Sequence, residues 1–142
     1  MSRVLIIEDE LETAIPVKEA LELEGISADI AKNGTIGLDL FEKTEYDLVL
    51  LDLKMPGMSG EEVLVKLREK DPFIDVIIYT NYSDFADIKK LANIGIDGYI
   101  NKGPSADLSE LIEKIKSRLA PLDDNTIDAL INALPDDTKG QN

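Results

Sequence analysis

The stretch YDLVLLDLKMPGMSG, Tyr46 to Gly60, runs from an apolar tetrad, Leu48-Val49-Leu50-Leu51, into one acidic residue, Asp52, and then into a loop rich in Gly and Pro. Four consecutive apolar residues are the pattern of a strand covered on both faces, and the Pro56-Gly57 and Ser59-Gly60 pairs mark the turn that follows. Asp52 is therefore expected at the C-terminal end of a parallel strand. In an open α/β sheet that edge faces the crevice where ligands bind. At this point two readings of Asp52 stand: a residue placed for chemistry, or an Asp that only caps the next loop.

The chain has 142 residues, enough for one domain with a core of its own and a tail. It has no Cys, which removes disulfides, thiol catalysis and Cys-based zinc sites from consideration. It has no His either, so no imidazole serves a triad, ligates a metal or shuttles protons, and any phosphohistidine must belong to a partner. Asp and Glu number 29 against 15 Lys and Arg, a formal net charge of −14. A surface so charged repels phosphate backbones, which argues against direct nucleic-acid binding by this chain and favours basic or metal-bearing partners. No signal-like segment precedes the first strand, and no apolar run approaches the ~20 residues of a membrane span. The expectation is a soluble, cytoplasmic protein without membrane association.

Other segments repeat the first pattern. RVLII, Arg3 to Ile7, is a second apolar run that ends in acid, Glu8-Asp9-Glu10. A helix with Ile15, Leu21 and Leu23 follows and stops at Gly25. Pro16 would break the interior of a helix begun at Leu11, so a start near Thr13, with Thr13 as N-cap, or a kink is expected. Ile26 to Ala31 alternates as an edge strand does, and Asn33-Gly34 turns into a helix over Thr35–Lys43 with Ile36, Leu38, Leu40 and Phe41. After the Asp52 loop, a helix from Gly60 buries Val63, Leu64 and Leu67 and ends at Asp71-Pro72. Ile74 to Tyr79 is a further strand closed by Thr80. Ser83 or Asp84 caps a helix to Ile94 carrying Phe85, Ile88 and Leu91, with Gly95 as its stop. Asp97 to Asn101 is a short last strand ended by Lys102, and Ser105 caps a helix with the stripe Leu108, Leu111, Ile112, Ile115, Leu119. Strands alternating with helices in this way give an α/β doubly wound domain with about five parallel strands.

Pro121 ends the domain, so residues 1–120 are expected as one unit and 121–142 as an extension. That extension holds one short amphipathic piece, Ile127, Leu130, Ile131 and Leu134. A helix so short needs something to pack on. Its own domain is one candidate; a homodimer or partner contact is the other. Disorder is expected from Pro135 onward.

Four strands thus end in Glu8-Asp9, Asp52, Thr80 and Lys102 at one edge of one sheet. Clustered carboxylates repel unless a cation joins them, and hard oxygen ligands without His or Cys suit Mg²⁺. A carboxylate nucleophile, a metal, a Lys and a Thr are what phosphoryl transfer to Asp52 needs.

On the motifs VLIIEDE, VLLDLKMPGMSG, VIIYT and DGYINK, in this order, the chain resembles a response-regulator receiver domain of two-component signalling from Arg3 to about Leu119. The resemblance implies a flavodoxin-like fold with strand order 2-1-3-4-5. It implies Asp52 as phosphoacceptor, with Glu8 and Asp9 beside it as the acidic pair for Mg²⁺ and the backbone carbonyl of Lys54 completing the protein ligands. Thr80 and Lys102 would bind phosphoryl oxygens, and Tyr99 would change rotamer with Thr80; Glu10 reads as a solvated neighbour. The implied function is to accept a phosphoryl group from a sensor histidine kinase or phosphotransfer protein and to signal to a downstream protein or output domain. Such a receiver promotes its own phosphorylation and dephosphorylation and is not otherwise an enzyme. The alternative is a pseudo-receiver acting as a phosphorylation-independent interaction module.

Two positions depart from the family's common pattern, Asn81 standing where a small residue is usual and Gly103 separating Lys102 from Pro104, and Lys54 and Tyr82 occupy its variable flanking positions. Tyr82 is expected to shield the acyl phosphate from water. A haloacid-dehalogenase-like phosphatase would need a second Asp where Lys54 stands, and a flavodoxin a phosphate loop where Glu8-Asp9-Glu10 stands.

Overall fold

A computed structural model of the chain describes residues 2–81, 85–102, 108–120 and 131–133. Strands β1 (Arg3–Ile7), β2 (Ser27–Ala31), β3 (Leu48–Leu51), β4 (Asp75–Thr80) and β5 (Gly98–Asn101) alternate with helices α1 (Leu11–Leu23), α2 (Gly34–Lys43), α3 (Gly60–Lys70), α4 (Phe85–Ile94) and α5 (Leu108–Leu119). The sheet order is β2-β1-β3-β4-β5, parallel throughout. This is the doubly wound, flavodoxin-like order 2-1-3-4-5 that the resemblance implies.

Every residue of β3 is buried, and so are Val4 to Ile7 of β1, because both strands lie inside the sheet with helices over both faces. The edge strand β2 is only partly covered. Period-two alternation then divides the core into two layers. Val4, Ile6, Leu48, Leu50, Ile77 and Ile100 meet α1 and α5 on one face. Leu5, Ile7, Val49, Leu51, Val76 and Ile78 meet the other helices on the opposite face. Each fully buried aliphatic side chain withdraws surface worth about 1.5–3 kcal/mol, so β1 and β3 form a rigid base for whatever projects from their ends.

The helix ends follow local chemistry. Asn33 caps α2 by accepting the Ile36 N–H, and Ser59 caps α3 by accepting the Glu62 N–H, each occupying a donor the first turn leaves orphaned. Gly25 carries the chain out of α1 at φ +77°, a left-handed conformation that costs glycine nothing.

The start of α1 differs from expectation. The helix begins at Leu11, not near Thr13, with Glu10 as the capping residue and the Glu10 carbonyl accepting from both Thr13 and Ala14. Pro16 is therefore in its interior and leaves the Glu12 carbonyl without its helical donor. The helix buries Ala14, Val17 and Leu21 against the sheet, and such tertiary packing outweighs local preference. Ile15 and Leu23 face outward instead, at 43% and 89% exposure. Smaller differences are that α2 starts at Gly34, β2 at Ser27, β4 at Asp75 and β5 at Gly98. The caps expected at Ser83, Asp84 and Ser105 lie outside the described residues, as do Tyr82, Gly103, Pro104 and most of the extension. Of its amphipathic piece, Ile131 to Ala133 are described and exposed.

Candidate functional site

The parallel register brings the polar strand ends together. Ile7 of β1 pairs with Leu51 of β3, so Glu8 and Asp52 leave adjacent strands side by side, and the Asp52 N–H donates to the Ile7 carbonyl at 3.0 Å. Leu51 pairs in turn with Ile78, and Thr80 with Asn101 of β5. Lys102 follows Asn101, its N–H donating to the Thr80 carbonyl at 2.8 Å. Glu8, Asp52 and Thr80 are the buried polar or charged residues of the described chain, at 3%, 4% and 0% exposure. A buried acid needs a partner.

Lys102 is that partner. Its ammonium donates to Glu8 Oε1 and stands 3.5 Å from Asp52 Oδ2, with all three side chains nearly closed to solvent. Asp52 Oδ1 accepts from the Lys54 backbone N–H at 3.4 Å, while the Lys54 side chain points outward. Glu8 Oε2 accepts from the Glu10 N–H at 3.3 Å. Burial, opposed by the Lys102 hydrogen bond and reinforced by Asp52, pushes the Glu8 carboxyl up to about 7. Burial works against the Lys102 ammonium too, but the bond to Glu8 and the charges of Asp52 and Glu8 outweigh it and hold its pKa above the ordinary value.

Asp9 behaves differently. Its Oδ1 is buried with no hydrogen-bond partner among the described residues. Ligand oxygens of Glu8, Asp9 and the exposed Glu10 all lie within 4.8 Å of one another. An orphaned carboxylate oxygen amid further hard oxygens, in a chain without His or Cys, fits a divalent oxygen-seeking cation such as Mg²⁺. Glu10 thus stands within the acidic group, although it is exposed as expected.

Tyr99 lies on the face opposite to Glu8 and Asp52, packed with the second core layer beside β4. Its hydroxyl is buried and has no partner among the described residues. Asn81, directly after Thr80, is exposed.

Two participants lie inside the motifs VIIYT and VLLDLKMPGMSG, which assign them no role. Tyr79 sits on the Glu8 and Asp52 face, with the Lys102 ammonium 5.4 Å from its ring centroid. Counting in twos back from Tyr79 to the core residue Ile77 would have put it there. Gly60 abuts the backbone of Asp52 and Leu53, and the signal was a Gly at the first position of a helix beside the acidic loop.

A family model described as response regulator receiver domain matches residues 4–116. The uncharacterized transcriptional regulatory protein YkoG of Bacillus subtilis is 40% identical over 116 residues, 82% of this chain and 50% of that protein. The sensory transduction protein RegX3 of Mycolicibacterium smegmatis is 37% identical over 125 residues, 88% of this chain and 54% of its own. The chain therefore spans about half the length of the curated relatives it matches. A CheY-like receiver domain protein from Methanospirillum hungatei superposes with a TM-score of 0.79 at 34% identity, covering 84% of this chain and 94% of that one. The response regulator TrrA of Thermotoga maritima, solved in complex with Mg²⁺ and BeF, gives 0.74 at 38% identity over 84% and 100%.

Proposed function

The chain belongs to the response-regulator receiver family of two-component signalling, and on that premise we propose that Asp52 accepts a phosphoryl group in a Mg²⁺-dependent reaction and that the added charge switches the domain. The observation that carries this reading is the placement of Asp52, 4% exposed, between the Lys102 ammonium and the Lys54 N–H and beside an acidic group with an orphaned oxygen.

A carboxylate oxygen of Asp52 attacks phosphorus in line, the bond from phosphorus to the donor's nitrogen or oxygen breaks, and the leaving group takes up a proton. The product is an acyl phosphate on Asp52. Asp9, Glu8, Asp52 and the Lys54 carbonyl would hold Mg²⁺, whose charge offsets that of the transferring oxygens. Lys102, already 3.5 Å from Asp52, supplies a second positive charge, and the Thr80 hydroxyl supplies a donor from the next strand. The Tyr99 hydroxyl has no hydrogen bond among the described residues to fix its rotamer, which suits a rotamer change coupled to Thr80.

The donor is a sensor histidine kinase, a phosphotransfer protein or a small phosphodonor, and the signal passes to a downstream protein or output domain. Residues 1–120 form the receiver unit and 121–142 an extension from it. The domain promotes its own phosphorylation and dephosphorylation, works in the cytoplasm and does not itself contact nucleic acid; among the described residues no helix is long and apolar enough to cross a membrane.

Intact mass after incubation with phosphoramidate or acetyl phosphate, with and without Mg²⁺, tests the reading. One phosphoryl group is expected on the wild type with Mg²⁺ and none on Asp52→Ala. No Mg²⁺-dependent adduct with any donor would leave a phosphorylation-independent interaction module.

A further inference from the structure

Lys102 carries a flexible four-carbon stem and a compact charge, so something must hold its ammonium where the phosphoryl group is to arrive. Glu8 and Asp52 attract it from one side. On another side stands Tyr79, half-buried, its ring centroid 5.4 Å from Nζ and within the range of a cation–π contact. Tyr79, Glu8 and Asp52 line one small cavity together with Thr13 of α1. β4 and β5 run in register there, Tyr79 opposite Ile100, so the ring lies under the path by which Lys102 leaves β5. The Lys102 ammonium stands over the ring, so the ring face is the part of Tyr79 that meets it.

We infer that Tyr79 is a positioning residue whose ring face keeps the Lys102 ammonium between Glu8 and Asp52, ready to receive the phosphoryl oxygens. An aliphatic residue at this position would fill much of the same volume but present no negative face. Without the ring the ammonium samples other rotamers and is displaced from Asp52 for part of the time. The inference rests on the phosphorylation reading for its consequence, but not for the contact itself.

The test is a double-mutant cycle with two readouts. Tyr79→Phe, Tyr79→Leu and Tyr79→Met are made in the wild-type and Lys102→Met backgrounds, Met serving as a second aliphatic if Leu fails to fold. In metal-free protein, urea unfolding should show the aliphatic variants lowering the folding equilibrium constant about 2- to 30-fold more in the Lys102 background than with Lys102→Met, the range of a cation–π contact. Tyr79→Phe should show no such coupling loss. With phosphoramidate and Mg²⁺, the aliphatic variants should slow phosphorylation several-fold, Tyr79→Phe should restore the rate, and the double variants should be no slower than Lys102→Met alone. Equal costs in both backgrounds mean packing only and overturn the inference. So does metal-free coupling with an unchanged phosphorylation rate. If the wild type takes no phosphoryl group, the proposed function fails, and the metal-free cycle alone decides whether the ring holds Lys102.

Discussion

Gly60, the first residue of α3, lies so close to Asp52 that a Cβ built on it would come within 2.4 Å of the Asp52 carbonyl oxygen and 2.5 Å of the Leu53 Cα. Both obstacles are backbone, so neither can turn aside. The Gly60 N–H also donates to the Leu53 carbonyl at 3.0 Å, which closes the loop that carries Lys54 past the site. Gly60→Ala must push the α3 start away from the strand end, at a cost of about 1–3 kcal/mol for overpacking. Urea unfolding should show a lower midpoint at unchanged slope, and phosphorylation should slow because the Asp52 backbone moves. A stable variant phosphorylated at the wild-type rate would show that the loop has room to give.

Arg68 ties together the end of the sheet opposite the site. Its side chain, 14% exposed, donates to the Gly95 carbonyl at 3.0 Å, the Ile74 carbonyl at 2.6 Å and Asp97 Oδ2 at 3.3 Å. Asp97 also accepts from the Val76 N–H and pairs with Arg118 of α5. Arg68→Met keeps much of the stem but takes a donor away from the Gly95, Ile74 and Asp71 carbonyls, each orphaned carbonyl costing about 1–3 kcal/mol. A loss of about 3 kcal/mol in urea unfolding is expected, given that Asp97 keeps its other partners. A loss below about 1 kcal/mol would mean that water replaces the guanidinium without penalty.

The Tyr99 hydroxyl presents the opposite case, a polar atom whose removal should help. It is buried without a partner among the described residues, and an unmet hydroxyl costs about 1–3 kcal/mol. Tyr99→Phe is expected to raise stability by about 1 kcal/mol, read as a higher urea midpoint. A lower midpoint would mean that the hydroxyl has a partner in solution.

The polar strand ends were legible in the sequence because a strand covered on both faces is apolar along its length, so Glu8, Asp52 and Thr80 stand out where the apolar runs stop, while Lys102 follows Asn101 at the end of the edge strand β5. The start of α1 was not. Pro16 argues locally for a later start, whereas the helix runs from Leu11 and buries Ala14, Val17 and Leu21. Tertiary burial decides such conflicts, and nothing local reports it. Tyr79 was missed for a different reason. Its contact joins β4 to a residue beyond β5, so it exists only once the two strands are in register.

Glu8 should give the metal-free protein a stability that falls as pH rises. In the unfolded chain its carboxyl titrates near the ordinary 4.5, while in the fold burial, opposed by Lys102 and reinforced by Asp52, pushes it up to about 7. Below the lower value both states hold the proton. Between the two values the folded state alone holds it, unfolding releases it, and stability declines with rising pH; above about 7 neither state holds it and the decline ends. Glu8→Gln has no such proton, so the difference between wild type and variant isolates this residue from every carboxylate the two share. Urea unfolding from about pH 5 to about pH 8 should show the wild type losing stability relative to Glu8→Gln up to neutrality and running parallel to it beyond. Saturating Mg²⁺ favours the ionised carboxyl and should flatten the difference. A difference that stays constant across the range without metal would mean that Lys102 keeps Glu8 ionised in the fold down to acid pH.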